Sequence, residues 1–123
     1  MKRFSLGFIA LALATSTTAQ AQTTGLTMKA WCADMPDATA MTTKSPLTAE
    51  GGLCSGFIWG VIDYMNLYQA SSNQHIFCPP IGATSGQEIE IVRSWMGRHP
   101  ERLNFGGSLV ITEALMEAFP CAK

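Results

Sequence analysis

The stretch SPLTAEGGLCSGFIWGVIDYMNLYQ, residues 45–69, carries only two charged side chains, Glu50 and Asp63. Leu53, Phe57, Val61, Tyr64 and Tyr68 recur in it every three or four residues, with Cys54, Ile58 and Met65 beside them. That is a broad apolar arc at the period of an α-helix, and no part of it alternates long enough to argue a strand. Ser45 fits an N-cap and Pro46 a first helical position, which predicts a helix over 46–69. Gly52, Gly56 and Gly60 form a second stripe at intervals of four. Each glycine costs about 1 kcal/mol against alanine inside a helix, so the stripe calls for a compensating role. Close packing of a neighbouring helix against bare backbone is the expected one. A groove that admits a partner, or a helix that begins after Gly52, are the alternatives.

Two further helices follow from the same reasoning. Thr84 has Gln87 three residues on and Ser85 has Glu88, so either can start a helix over 85–98 whose buried side is Ile89, Val92, Trp95 and Met96. Gly97 to Pro100 ends it. A third helix is expected over about 104–119, with Leu109, Val110, Ala114, Leu115, Ala118 and Phe119 inward and Pro120 as its stop. Ahead of the long helix, a short one is expected around Leu26–Ala33, in an arm interrupted by Pro36 and Pro46. The fold class is therefore all-α: a small bundle of three principal helices with a short N-terminal helix.

The whole chain has 123 residues, enough for one domain. Residues 1–21 read as a secretory signal peptide: Lys2 and Arg3, an apolar run from Phe4 to Ala14, then Ala19-Gln20-Ala21 as the cleavage site. The domain is then 22–123, with six Lys/Arg against nine Asp/Glu. A net charge near minus 3 disfavours a nucleic-acid partner, because only Arg93, Arg98 and Arg102 come close together. No cysteine adjoins the cleavage site and no later run is apolar enough to span a bilayer, so no membrane anchor is expected and the product is placed in a periplasm.

Cys32, Cys54, Cys78 and Cys121 all fall after the signal, with gaps of 22, 24 and 43 residues and no CxxC pair. In an oxidising compartment they predict two disulfides, in any of three connectivities. This pairing also removes Cys54 as a nucleophile beside His75 or His99. His75 reads as solvated, and His99, before Pro100, as a hydrogen-bond donor to a helix-end carbonyl. Neither a cofactor nor a metal site is expected, and no catalytic set emerges. Trp59, Asp63 and Asn66 lie on the less apolar side of the long helix, where they either face solvent or form a partner surface anchored by Trp59. Glu113 and Glu117 form a like-charge pair at i, i+4 that solvation or a basic partner would relieve.

Taken in order, the helix motif Cys54-Ser55-Gly56-Phe57-Ile58, Gly60-Val61 and Asp63, the Phe77-Cys78-Pro79 loop, the His99-Pro100-Glu101 turn and the Ala118-Phe119-Pro120-Cys121 terminus resemble the all-α periplasmic family of type VI secretion amidase immunity proteins, the Tai-like or Rap-like group. The likeness spans roughly residues 50–121. Phe57 stands where that family commonly has tyrosine. The resemblance implies a disulfide-held helical bundle, often homodimeric, that binds and blocks a peptidoglycan-cleaving amidase and is not itself an enzyme. Trp59, Asp63, Glu113 and Glu117 are the candidate contacts. The competing readings are a small periplasmic stress or chaperone-like protein and an accessory of an envelope assembly.

Overall fold

The computed structural model describes residues 22–36 and 48–122. The expected signal peptide and the expected helix start at Ser45-Pro46 lie outside them. Four α-helices follow in order: α1 (Gly25–Cys32), α2 (Ala49–Ser72), α3 (Ser85–Arg98) and α4 (Gly107–Ala118), with a 3-10 turn at Pro100–Arg102 before the last. The described residues contain no strand, only an isolated bridge between Thr24 and Gly106. This is an all-α bundle.

Each of the first three helices begins on a threonine. Thr24, Thr48 and Thr84 are extended residues whose hydroxyls accept from the N–H groups of Thr27, Gly51 and Gln87, satisfying one otherwise unpaired donor each. Of the two starts open for α3, Thr84 is therefore the cap. In α2 the cap at Thr48 sets the first helical residue at Ala49, three later than Pro46. Its other end runs three residues past Gln69, because Ser71 and Ser72 hydroxyls bond the Tyr68 carbonyl at 3.1 and 2.7 Å before Asn73 turns left-handed at φ 54°. α4 begins at Gly107 rather than 104, since the 3-10 turn occupies the preceding chain.

The core is built from Met28 of α1, Cys54, Ile58, Ile62 and Met65 of α2, Ile89, Val92, Trp95 and Met96 of α3, and Val110, Ile111, Ala114 and Leu115 of α4. Phe77 and Leu103 close it from the connections. All four residues expected inward on α3 are there. On α4, Leu109 and Ala118 point outward, and Ile111 takes the inward place.

The expected inward face of α2 is corrected more deeply. Of the broad expected arc, Cys54, Ile58 and Met65 are buried and are joined by Ile62, whereas Leu53, Tyr64 and Tyr68 are exposed and Phe57 and Val61 half-buried. The disulfide fixes this rotation: Cys54 is bonded to Cys32 at the end of α1, with Cα atoms 5.1 Å apart. The packing role expected for Gly52, Gly56 and Gly60 fails with it. All three are exposed, and a Cβ at any of them would meet nothing within 4 Å.

The close approach of backbone lies elsewhere, at Gly25 and Gly107. Gly25 N–H donates to the Phe105 carbonyl at 2.9 Å and Leu26 N–H to that of Leu103 at 2.9 Å, while Gly107 N–H donates to the Thr23 carbonyl at 2.7 Å. The start of α1 is thereby seated on the loop that feeds α4. At the opposite edge, Cys78 pairs with Cys121 and Cys78 N–H donates to the Phe119 carbonyl at 2.8 Å. The two disulfides leave no free cysteine among the described residues, as expected of a chain folded in an oxidising compartment. No helix among the described residues is long and apolar enough to cross a membrane.

Candidate functional site

Rotating α2 about its axis to bury Cys54 and Ile62 carries Trp59 to the side, where it meets the start of α3. Trp59 is 44% exposed, so it is no part of the core. Together with Asp63 and Asn66 one and two turns on, it lines a cavity of about 310 Å³ whose floor is Ile62 and whose far wall is Ser85 and Glu88 of α3. Two of the four candidate contacts, Trp59 and Asp63, are thus brought together in one recess.

Sequence position alone does not mark Glu88 as a site residue, because an acid in the first turn of a helix is explained by the helix dipole. Its spacing to Val92 and Trp95 (i, i+4, i+7) is the signal that places it on the buried stripe of α3. Glu88 is 9% exposed and turned toward the recess, and no side chain among the described residues hydrogen-bonds its carboxylate. Burial, and secondarily the nearby charge of Asp63, hold its pKa above the usual glutamate value. A carboxylic acid with a raised folded-state pKa favours the folded state while protonated. That contribution is complete below the unfolded pKa and is lost as pH rises through the folded one. Glu88→Gln is therefore expected to raise the melting temperature by a few degrees at neutral pH. The gain should vanish as the pH falls below the ordinary glutamate range. Thermal melts of both proteins across that range check the sign.

Glu113 and Glu117 do not join this recess. Glu113 receives the Arg102 guanidinium through both carboxylate oxygens, with Nε at 2.9 Å from Oε2, and Arg102 in turn lies 4.2 Å over the Phe105 ring. Glu117 accepts the Trp95 indole N–H at 2.8 Å and lies 3.4 Å from Arg98 and 3.6 Å from His99 Nε2. The like charges at i, i+4 are therefore neutralised by two different sets of basic groups within the chain. Among the described residues, the His99 ring bonds no helix-end carbonyl. The imidazole stacks on Trp95 at 4.2 Å and its Nδ1 lies 3.1 Å from Glu101 Oε1. His75 is exposed, as expected.

Cys54 is consumed in a disulfide, and the described residues contain no group of three or more His, Cys, Asp or Glu side chains arranged to hold a metal. What the recess offers is recognition chemistry: an aromatic wall, an amide, a hydroxyl and two carboxylates, with no lysine, arginine or histidine lining it.

The model of the family described as Rap1a immunity proteins matches this chain over residues 24–121. No curated protein matches it. No solved structure matches it.

Proposed function

Since the chain belongs to the Rap1a immunity protein family, we propose that it is a periplasmic, non-enzymatic inhibitor that binds a peptidoglycan amidase delivered by a competing cell and occludes its cleft. Membership implies a protein partner. The amidase, the type VI route and the periplasmic site are the finer part of this reading, supported by the motif order from Cys54 to Cys121 and by the two disulfides. The single observation that carries the choice of surface is the exposed Trp59 beside Asp63. A large aromatic side chain with a polar neighbour is what interface anchors are made of. Glu113 and Glu117 enter only as rim charges, because their carboxylates already serve the chain.

The same reading makes the protein a homodimer. Leu53, Gly56, Gly60, Tyr64 and Leu67 share the outward face of α2 and are exposed, so a second helix could approach there closely. Sedimentation of the purified protein reads that directly.

The test of the whole reading is calorimetry of the purified protein against secreted cell-wall amidases, beginning with any encoded next to its gene, with a growth assay in which periplasmic amidase is lethal unless the protein is co-expressed. Trp59→Ala is expected to weaken binding by about 2 kcal/mol, roughly thirtyfold in Kd, with an unchanged circular dichroism spectrum. Neither binding nor protection with any such amidase overturns the assignment and leaves the family membership alone.

A further inference from the structure

The recess between α2 and α3 contains an unusual charge arrangement. Glu88 is nine-tenths buried and accepts no side-chain hydrogen bond among the described residues; its carboxylate stays in reach of water in a recess that Asp63 also lines. Two acids lining one cavity without a cation repel each other, and burial leaves Glu88 less well solvated than the exposed Asp63. The place of Glu88 on the buried stripe of α3 explains its burial but not its charge, because its neighbours on that stripe, Ile89, Val92, Trp95 and Met96, are all apolar. The dipole at the start of α3 offsets part of the Glu88 charge, but it does not account for Asp63 or for the indole beside them.

We propose that this recess is the receptor for one cationic side chain of the protein partner, an arginine guanidinium, with Asp63 and Glu88 as its counter-ions and Trp59 as the aromatic face it stacks on. The inference rests on the reading of the chain as a protein-binding immunity protein and names the chemistry its partner must present. Three features select a guanidinium. The planar cation can donate to two carboxylates at once. It gains from lying over an indole face, and Asn66 and Ser85 supply further acceptors at the rim. A bare divalent cation would use the carboxylates but leave the indole without a role. It would also need six or more oxygen ligands, whereas no group of three acidic or metal-ligating side chains gathers there among the described residues. Closing the recess with an arginine would remove the repulsion between Asp63 and Glu88 and give the Glu88 carboxylate a charged donor in place of water, so the repulsion held in the free protein is released on binding.

The experiment uses N-acetyl-arginine amide as the probe and the indole N–H resonance of Trp59 in the full domain as the readout. The expected result is a saturable shift at millimolar probe that weakens with added salt. It should be absent with the uncharged isostere N-acetyl-citrulline amide and about tenfold weaker in Asp63→Asn or Glu88→Gln. Both substitutions are nearly isosteric, and an unchanged circular dichroism spectrum is expected for each. An equal response to the citrulline probe, no response at all, or a response to calcium chloride that displaces the arginine probe would each overturn the proposal. Failure of the immunity reading is separable. A probe that binds as described while no amidase does supports the recess and moves its partner elsewhere. An amidase that binds the Asp63→Asn/Glu88→Gln double variant as tightly as the parent overturns the recess and leaves immunity standing.

Discussion

Alanine at both Cys32 and Cys54 is expected to lower folding stability by about 4–5 kcal/mol, a large share of the about 5–15 kcal/mol by which a small domain is stable. The bridge closes a loop of 22 residues, which alone is worth about 3 kcal/mol in the chain-entropy treatment. Both sulfurs are buried in the core cluster beside Met28 and Ile58, so their removal also opens a small void. The bridge further sets which side of α2 faces inward. The companion variant, serine at Cys78 and Cys121, opens a loop of 43 residues. Loop entropy by itself ranks it about 0.6 kcal/mol more costly than the first. Cys78 is exposed and Cys121 half-buried, however, so no packing is lost and its total should stay near 4 kcal/mol. Urea melts of the two double variants decide the order. If the Cys78/Cys121 variant proves clearly the less stable, loop closure outweighs packing at Cys32–Cys54. If either matches the parent, the corresponding bridge is not a staple of this fold.

What could be read in the sequence depended on how sharply each helix is polarised. α3 has one apolar stripe on an otherwise polar cylinder, so its limits, its cap region and its four inward residues all follow from spacing. α2 is apolar on almost every side, and two stripes satisfy the helical period: Leu53–Phe57–Val61–Tyr64–Tyr68 and Cys54–Ile58–Ile62–Met65. Periodicity cannot choose between them. The choice is made by the bond from Cys54 to Cys32, a contact between residues whose pairing the spacing of four cysteines leaves open. The same ambiguity hid the site. Trp59 and Asp63 could be placed on one side of α2, but their neighbour Glu88 comes from a different helix, and its burial follows only once the rotation of α2 is known. Glu113 and Glu117 show the opposite failure. Read alone they are a repelling pair that invites a basic partner, whereas Arg102 and the Trp95 indole, brought in by the packing of α3 and the 3-10 turn against α4, already answer them.

Gly25→Ala is expected to destabilise the protein by about 1–3 kcal/mol, although alanine is the better helix former and the position is the first of α1. A Cβ there would stand 2.9 Å from the Leu103 Cα, 3.0 Å from the Leu103 carbonyl oxygen and 2.9 Å from the Val110 Cγ2. Val110 is fully buried and the other two atoms are backbone, so nothing nearby can yield by turning a side chain. The seating of α1 on the 103–107 loop must open instead, at the expense of the hydrogen bonds from Gly25 and Leu26 N–H. Gly56→Ala is the matched control from the middle of α2. With nothing within 4 Å of the added carbon and an exposed position, only helix propensity acts, and the variant should gain up to about 1 kcal/mol. The two substitutions add the same methyl group to glycines of two helices and should move denaturant midpoints in opposite directions. Equal and small shifts would mean that α1 is not seated as described. A loss at Gly56 in the monomer would restore a packing role for the glycine stripe of α2, whereas a loss seen only at concentrations where two copies associate would place that role between subunits.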